Sequence, residues 1–277
     1  MYKIGLSIGS IADQMYANLR ASGIEALELS FPKQGHDDYD LKLARALADK
    51  HDLLLWSYHL PVMPIDIAAD GHSEKSVAYL SEVIRRVGEI GIEKLVIHPG
   101  YEPIADHERA ERLKCSCQSL SRLADVAAEV GSVICLEDLP RTCMGRDSEE
   151  ILTMLNADSR LRACFDTNHI MREPVEDYMR KIGSKIVTLH VSDYDDINER
   201  HWLPGEGKND WPMIVDILEE IGYDGVWMYE VGFGIPKTIL RPRALTCADF
   251  IRNAEEVLNR RPITVISQPK PGVGMWE

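Results

Sequence analysis

The chain has 277 residues, 45% hydrophobic and 27% charged, an ordinary balance for a folded soluble protein with a core of its own. A formal net charge of −14 argues against a surface that attracts nucleic acid over its whole extent. No run reaches the ~18 apolar residues of a membrane span, and MYKIGLSIGS enters a strand-like segment without a cleavable signal pattern, so a cytoplasmic setting with mostly reduced cysteines is expected.

Two patterns alternate along the chain. The β-rich runs are KIGLSIG (3–9), ALELSF (26–31), LLLWSYH (53–59), KLVIHPG (94–100), SVICLED (132–138), LRACFDT (161–167), IVTLHVS (186–192) and GVWMYEVG (225–232). Helix-period segments separate them. In SEKSVAYLSEVIRRVGEIG, Val77, Leu80, Ile84, Val87 and Ile90 make one apolar stripe. In RLKCSCQSLSRLADVAAEV, the stripe is Leu113, Cys117, Leu120, Ala124 and Ala127, which places Cys117 toward the core and Cys115 off that face. Cys135 and Cys164 sit in apolar strands and read as packing residues, not ligands. DWPMIVDILEEIGY carries Asp210 as an N-cap and Pro212 in its first turn. TCADFIRNAEEVL has Thr246 and Asp249 at capping-box spacing. Glycines 23, 91, 131, 183 and 222 follow helices and precede strands, as C-cap glycines do.

Eight strands, each followed by a helix, in roughly 250 residues predict a single α/β domain, a (β/α)8 TIM barrel over residues 1–262. A doubly wound sheet is the alternative, but no G-x-G-x-x-G follows the first strand. Residues 263–277 lie beyond the eighth helix and are expected to hug the surface or contact another subunit.

In such a barrel, catalytic groups come from the C-terminal ends of the strands. Those ends carry His59, His98, Glu137, Asp166, His190 and Glu230, with His169, Glu199 and His201 just beyond. Taken singly, each has an ordinary explanation: a loop or core histidine, a turn cap, an arginine partner. As a set they do not, because converging carboxylates repel one another and are costly to desolvate without a cation. A divalent metal site is therefore expected. Glu28, inside the second strand, reads as structural or as a support for the ligands. His36, His51, His72 and His107 are expected at the surface. Trp202 reads as either a platform for a sugar face or a packed loop anchor, and Gly205 and Gly207 as letting their loop pass close to ligand or metal.

The ordered motifs ICLEDLP, CFDTNH, TLHVSD, RHWLPGEG and MYEVG resemble the xylose-isomerase-like TIM-barrel superfamily. It includes sugar isomerases and epimerases, inosose isomerase and dehydratase relatives, and endonuclease IV. In the tagatose 3-epimerase-like and inosose-isomerase-like branch, one divalent metal is held by residues matching Glu137, Asp166, His190 and Glu230. The matches to the glutamates also move a proton between the faces of a sugar carbon through a metal-stabilised enediolate. His169 would contact substrate oxygens. Three carboxylates and one imidazole suit Mn²⁺ or Zn²⁺, with Mg²⁺ or Co²⁺ as alternatives. The epimerases carry an arginine six residues after the seventh-strand histidine. Here that position is Asp196, with Arg200 further along as a substitute. Endonuclease IV holds three zinc ions, and His59, His98, Glu137, Asp166, His169, His190, His201 and Glu230 match its ligand pattern, with Glu199 in place of an aspartate. The resemblance thus implies a metal-dependent isomerase or epimerase of a sugar, keto-sugar or inosose. The alternatives are a phosphodiesterase, or a lyase or dehydratase of a keto-inositol or keto-sugar. The expected partners are a small carbohydrate and a further copy of the chain, not nucleic acid or membrane.

Overall fold

The computed structural model describes residues 2–30, 39–62, 65–69, 71 and 73–275. Eight parallel strands form the centre: β1 (Lys3–Ile8), β2 (Ala26–Leu29), β3 (Leu54–His59), β4 (Lys94–Ile97), β5 (Val133–Glu137), β6 (Arg162–Asp166), β7 (Ile186–His190) and β8 (Val226–Tyr229). They lie in the order β7-β6-β5-β4-β3-β2-β1-β8. The Val191 N–H donates to the Met228 carbonyl at 2.8 Å and the Glu230 N–H to the Val191 carbonyl at 3.1 Å, which closes the ring between β7 and β8. The expected single-domain (β/α)8 barrel is the observed fold.

Eight helices surround it: α1 (Asp13–Ala21), α2 (Leu41–Lys50), α3 (Ser73–Gly88), α4 (Arg109–Glu129), α5 (Ser148–Ala157), α6 (Val175–Ile182), α7 (Trp211–Glu220) and α8 (Cys247–Leu258). The α3 stripe is buried as its spacing requires, from Val77 through Val87, with Ile90 just past the helix. On α4, Leu120, Ala124 and Ala127 are buried. Leu113 and Cys117 are half-buried against the core, and Ser116 and Ser119 take the tightest positions because their hydroxyls donate to the Pro99 and Ile67 carbonyls. Asp210 caps α7 by accepting from the Met213 N–H at 3.1 Å. Asp249 accepts from the Thr246 N–H at 2.8 Å in a capping box on α8. All five helix-following glycines have positive φ, from 57° at Gly183 to 97° at Gly23, where a Cβ would be strained.

Two short strands fall outside the sequence expectation. β9 (Ile239–Leu240), after β8, pairs antiparallel with β10 (Gln268–Pro269), beyond α8. Trp56 donates to Thr188 at 3.0 Å across the barrel interior, and Lys94 sits over its ring at 3.6 Å. Among the described residues, no helix is long and apolar enough to cross a membrane. His107 is exposed, and His51 is half-buried, its ring 2.6 Å from Asp13. His36, His72 and Phe31, the last residue of the second β-rich run, lie outside the described residues.

Candidate metal centre and substrate cavity

Strand periodicity places the site. On β5, Val133, Cys135 and Glu137 share the interior face, while Ile134 and Leu136 belong to the outer core under the helices. The last interior position of β5, β6 and β7 is therefore Glu137, Asp166 and His190. Cys135 and Cys164 pack in the layer below, as expected of structural thiols.

Glu137, Asp166, His190 and Glu230 each offer a ligand atom, and those atoms lie within 4.8 Å of one another. A second group, His59, His98 and Glu137, shares the middle carboxylate. His59 Nε2 is 3.2 Å and His98 Nε2 3.1 Å from the same Glu137 oxygen. His169 Nε2 faces Glu199 at 3.2 Å, and the His201 ring lies 6.2 Å from that of His169. Every expected rim residue except Trp202 thus reaches this region.

Tautomers carry the chemical argument. His190 Nε2 lies 2.9 Å from Glu28, which accepts its proton. Nδ1 is left to face Glu137 at 3.1 Å and Glu230 at 3.4 Å. His59 Nδ1 donates to the Leu60 carbonyl at 3.0 Å, and His169 Nδ1 to the Asp138 carbonyl at 2.8 Å. In each neutral ring the remaining nitrogen lone pair then points at a carboxylate oxygen. Only a cation between them, proton or metal, makes that arrangement favourable. The buried Asp166 Oδ2 and Glu230 Oε2 have no hydrogen-bond partner, although Asp166 Oδ1 accepts from the Asn168 N–H at 2.7 Å. Two unsatisfied carboxylate oxygens beside an imidazole lone pair fit a divalent ion.

The titration directions express the same demand. Burial, reinforced by the nearby Glu230 and Glu137 charges against His169, drives the Asp166 carboxyl well above its usual value. Burial opposes ionisation of Glu137, but His190 and His98 outweigh it and hold that carboxyl well below the usual range. His59 is raised to about 9 because Glu137 outweighs the burial that would lower it. At His98 burial wins and the imidazole is lowered, so these two rings differ although they share one carboxylate.

Glu28 braces His190 from below. It is fully buried and accepts from Ser7 and Ser57 at 3.0 and 2.7 Å as well as from His190. Asp138, adjacent to Glu137, accepts from the Asp166 N–H at 2.9 Å, and burial pushes its carboxyl up to about 7.

Three expectations are corrected. Trp202 is 1% exposed and donates to Thr238 at 2.9 Å, so it is the packed loop anchor and no sugar can stack on it. Gly205 and Gly207 make room for protein and not for ligand. A Cβ would meet Ile263 at 2.7 Å in the first case and the Tyr194 carbonyl at 2.2 Å in the second. Arg200 does not replace the missing arginine. It is buried against Asp195 at 2.8 Å and the Gly274 carbonyl at 2.7 Å, outside the cavity lining.

The cavity over the centre measures about 350 Å³. Besides the rim histidines and glutamates, Tyr101, Glu102 and Arg141 line it, and none of these three was legible in the strand pattern. Arg141 lies four residues past the end of β5, directly after Leu139 and Pro140, where the sequence offers no periodicity. Its guanidinium donates to Glu102 at 2.7 Å and to Glu199 at 3.3 Å.

An eight-stranded parallel barrel with a carboxylate–imidazole cluster at its C-terminal mouth defines a class of TIM barrel with a candidate metal centre. Residues 16–243 match the model of the xylose isomerase-like TIM barrel family, and the chain belongs to that family. It is 29% identical over 121 residues to fructoselysine 3-epimerase of Escherichia coli O157:H7, covering 41% of this chain and 44% of that enzyme. The chain thus aligns with less than half the length of that epimerase. It is 24% identical over 246 residues to a probable endonuclease 4 of Aster yellows witches'-broom phytoplasma, covering 82% of this chain and 77% of that protein. The crystal structure of a D-tagatose 3-epimerase-like protein superposes with a TM-score of 0.74 at 21% identity, covering 93% of this chain and 98% of the other.

Proposed function

We propose that this chain is a metal-dependent isomerase or epimerase of an unphosphorylated ketose or a related polyol ketone. It would act by proton transfer at the carbon beside the carbonyl. The observation that carries this reading is the convergence of Glu137, Asp166, His190 and Glu230 at the floor of one sugar-sized cavity, two of their carboxylate oxygens being buried without a hydrogen-bond partner. A divalent ion held by these four residues would supply Lewis-acid polarisation of carbonyl and neighbouring hydroxyl oxygens.

The protein's own groups divide the remaining work. Glu230 lines the cavity with a side chain 23% exposed, which suits it to take a carbon-bound proton. Glu137, 1% exposed, enters three strands away around the barrel; held anionic by imidazoles, it would return a proton only after taking one from His59, whose Nε2 lies 3.2 Å away and whose imidazole is raised to about 9. His169, its Nδ1 fixed on the Asp138 carbonyl, can present Nε2 to a substrate oxygen. Among the described lining residues Arg141 is the only lysine or arginine, and it already serves Glu102 and Glu199. A phosphate dianion would find no uncommitted cation there, which supports a neutral sugar.

The test is exchange of the substrate's carbon-bound proton with deuterated water, using D-tagatose, D-fructose and D-psicose, with metal content measured in the same samples. Glu137→Gln and Glu230→Gln should each lower exchange by about 10²–10⁴-fold. If both variants keep their metal and exchange at the parent rate, the two-glutamate mechanism is wrong. His169→Asn should show a smaller defect, shared between binding and rate. A dehydratase acting on the same class of ketone would begin with the same proton removal and be recognised by water loss in the product.

A second reading, a metal-dependent phosphodiesterase, draws on the His59–His98–Glu137 group and on the long alignment with a probable endonuclease 4. The acidic chain and the acidic cavity weigh against a polyanionic substrate.

A further inference from the structure

The segment after α8 is bound to the two loops that wall the cavity. β10 pairs with β9, the Lys270 N–H donates to the Thr238 carbonyl at 2.9 Å, and Ser267 donates to Glu206, which is ion-paired with Arg241 at 2.6 Å. Further on, the Gly274 carbonyl accepts from Arg200 at 2.7 Å and the Met275 carbonyl accepts from the Asn198 side-chain amide. Asn198 Oδ1 in turn accepts from the Arg141 guanidinium and from the Glu199 N–H at 3.0 Å. Arg141 and Glu199 face the cavity.

The chemistry of these groups allows one orientation. A backbone carbonyl can only accept and a guanidinium can only donate, so the amide between them must turn Nδ2 to Met275 and Oδ1 to Arg141. The Asp195 carboxylate fixes the turn itself by accepting from the Ile197 and Asn198 N–H groups, both at 3.0 Å. Asn198 is 8% exposed, so a misoriented amide would leave buried groups unmatched.

We propose that Asn198 is a positioning residue, oriented by residues 274–275, that sets Arg141 and Glu199 in the cavity wall. The C-terminal segment is then a working part of the substrate site. The consequence for substrate rests on the ketose reading above, whereas the ordering of the wall does not.

The test compares three variants with the intact chain: one lacking residues 274–277, Asn198→Ala, and the two combined. Hydrogen exchange at amides 197–201 should accelerate roughly tenfold in each single variant, with the barrel strands unchanged. For D-tagatose or D-fructose, KM should rise about 5- to 50-fold while kcat stays within about threefold, because uniform binding is what the wall contributes. The combined variant should be no worse than the worse single one, since both cut the same chain of bonds. Unchanged exchange at 197–201, additive effects, or a fold-wide rise in exchange with proportional loss of metal would each overturn the proposal. Changed exchange with unaltered KM would overturn its role in substrate binding. Should the intact chain bind neither ketose, the proposed substrate class fails, and the exchange comparison still decides the ordering of the wall.

Discussion

Whether His190 presents a lone pair or a proton to the candidate metal centre depends on a residue below it. Glu28 takes the Nε2 proton, and Ser7 and Ser57 hold the carboxylate in place by donating to it. Groups that fix the far nitrogen of a ligating histidine typically matter by about 10–100-fold in metal affinity. Glu28→Gln should therefore weaken Zn²⁺ or Mn²⁺ binding by that range, read by competition with a chromophoric chelator. Equal affinity in the variant would mean that the tautomer is set by the barrel alone. The supporting role of Glu28 was legible in its place inside an apolar strand. Its hydrogen bond to His190 was not, because the two are 162 positions apart and meet only across the closed barrel.

At the scale of elements, capping carries a pH signature. Asp249 is buried at the start of α8. The Arg243 guanidinium, with help from the Thr246 side chain and backbone, holds its carboxyl below the usual range. A carboxyl depressed in the folded state stabilises the protein above its unfolded value, near ~4, and that stability is lost as pH falls through the lower folded value. Asp249→Asn should thus cost about 1–2 kcal/mol at pH 7. The gap from the parent in thermal or denaturant unfolding should close only in strong acid. A constant gap from pH 7 to pH 2 would show that the ion pair contributes nothing beyond neutral hydrogen bonds. The capping residues of α7 and α8 were readable in the sequence because a cap is a local event within four residues. β9 and β10 were not, because two-residue strands have no period and exist only as partners.

For the whole molecule, charge is the argument that separates the two proposed substrate classes. A chain at −14, whose cavity lining sets four glutamates against one arginine, disfavours a polyanion on charge alone, which is the basis of the proposed reading. Incision of an abasic-site duplex at physiological salt should be absent or trace. Robust incision that is lost in His98→Ala would replace the isomerase reading with the nuclease one. Finding three zinc ions per chain would weaken the isomerase reading without deciding between them.

The sequence alone determined the repeating strand–helix order, the helix stripes and caps, and the polar residues at the ends of strands three to eight. These depend on periodicity and near neighbours, and a parallel barrel turns every strand end toward one rim whatever the loops do. Only the tertiary structure decided what the loops contribute. It buried Trp202 against Thr238 and Arg200 against Asp195. It also brought Arg141 to the cavity and tied Asn198 to a carbonyl 77 residues away. An arginine in a loop has the same local pattern whether it faces solvent, a carboxylate or a substrate. Its partners are chosen by packing between distant segments, which no short window of sequence contains.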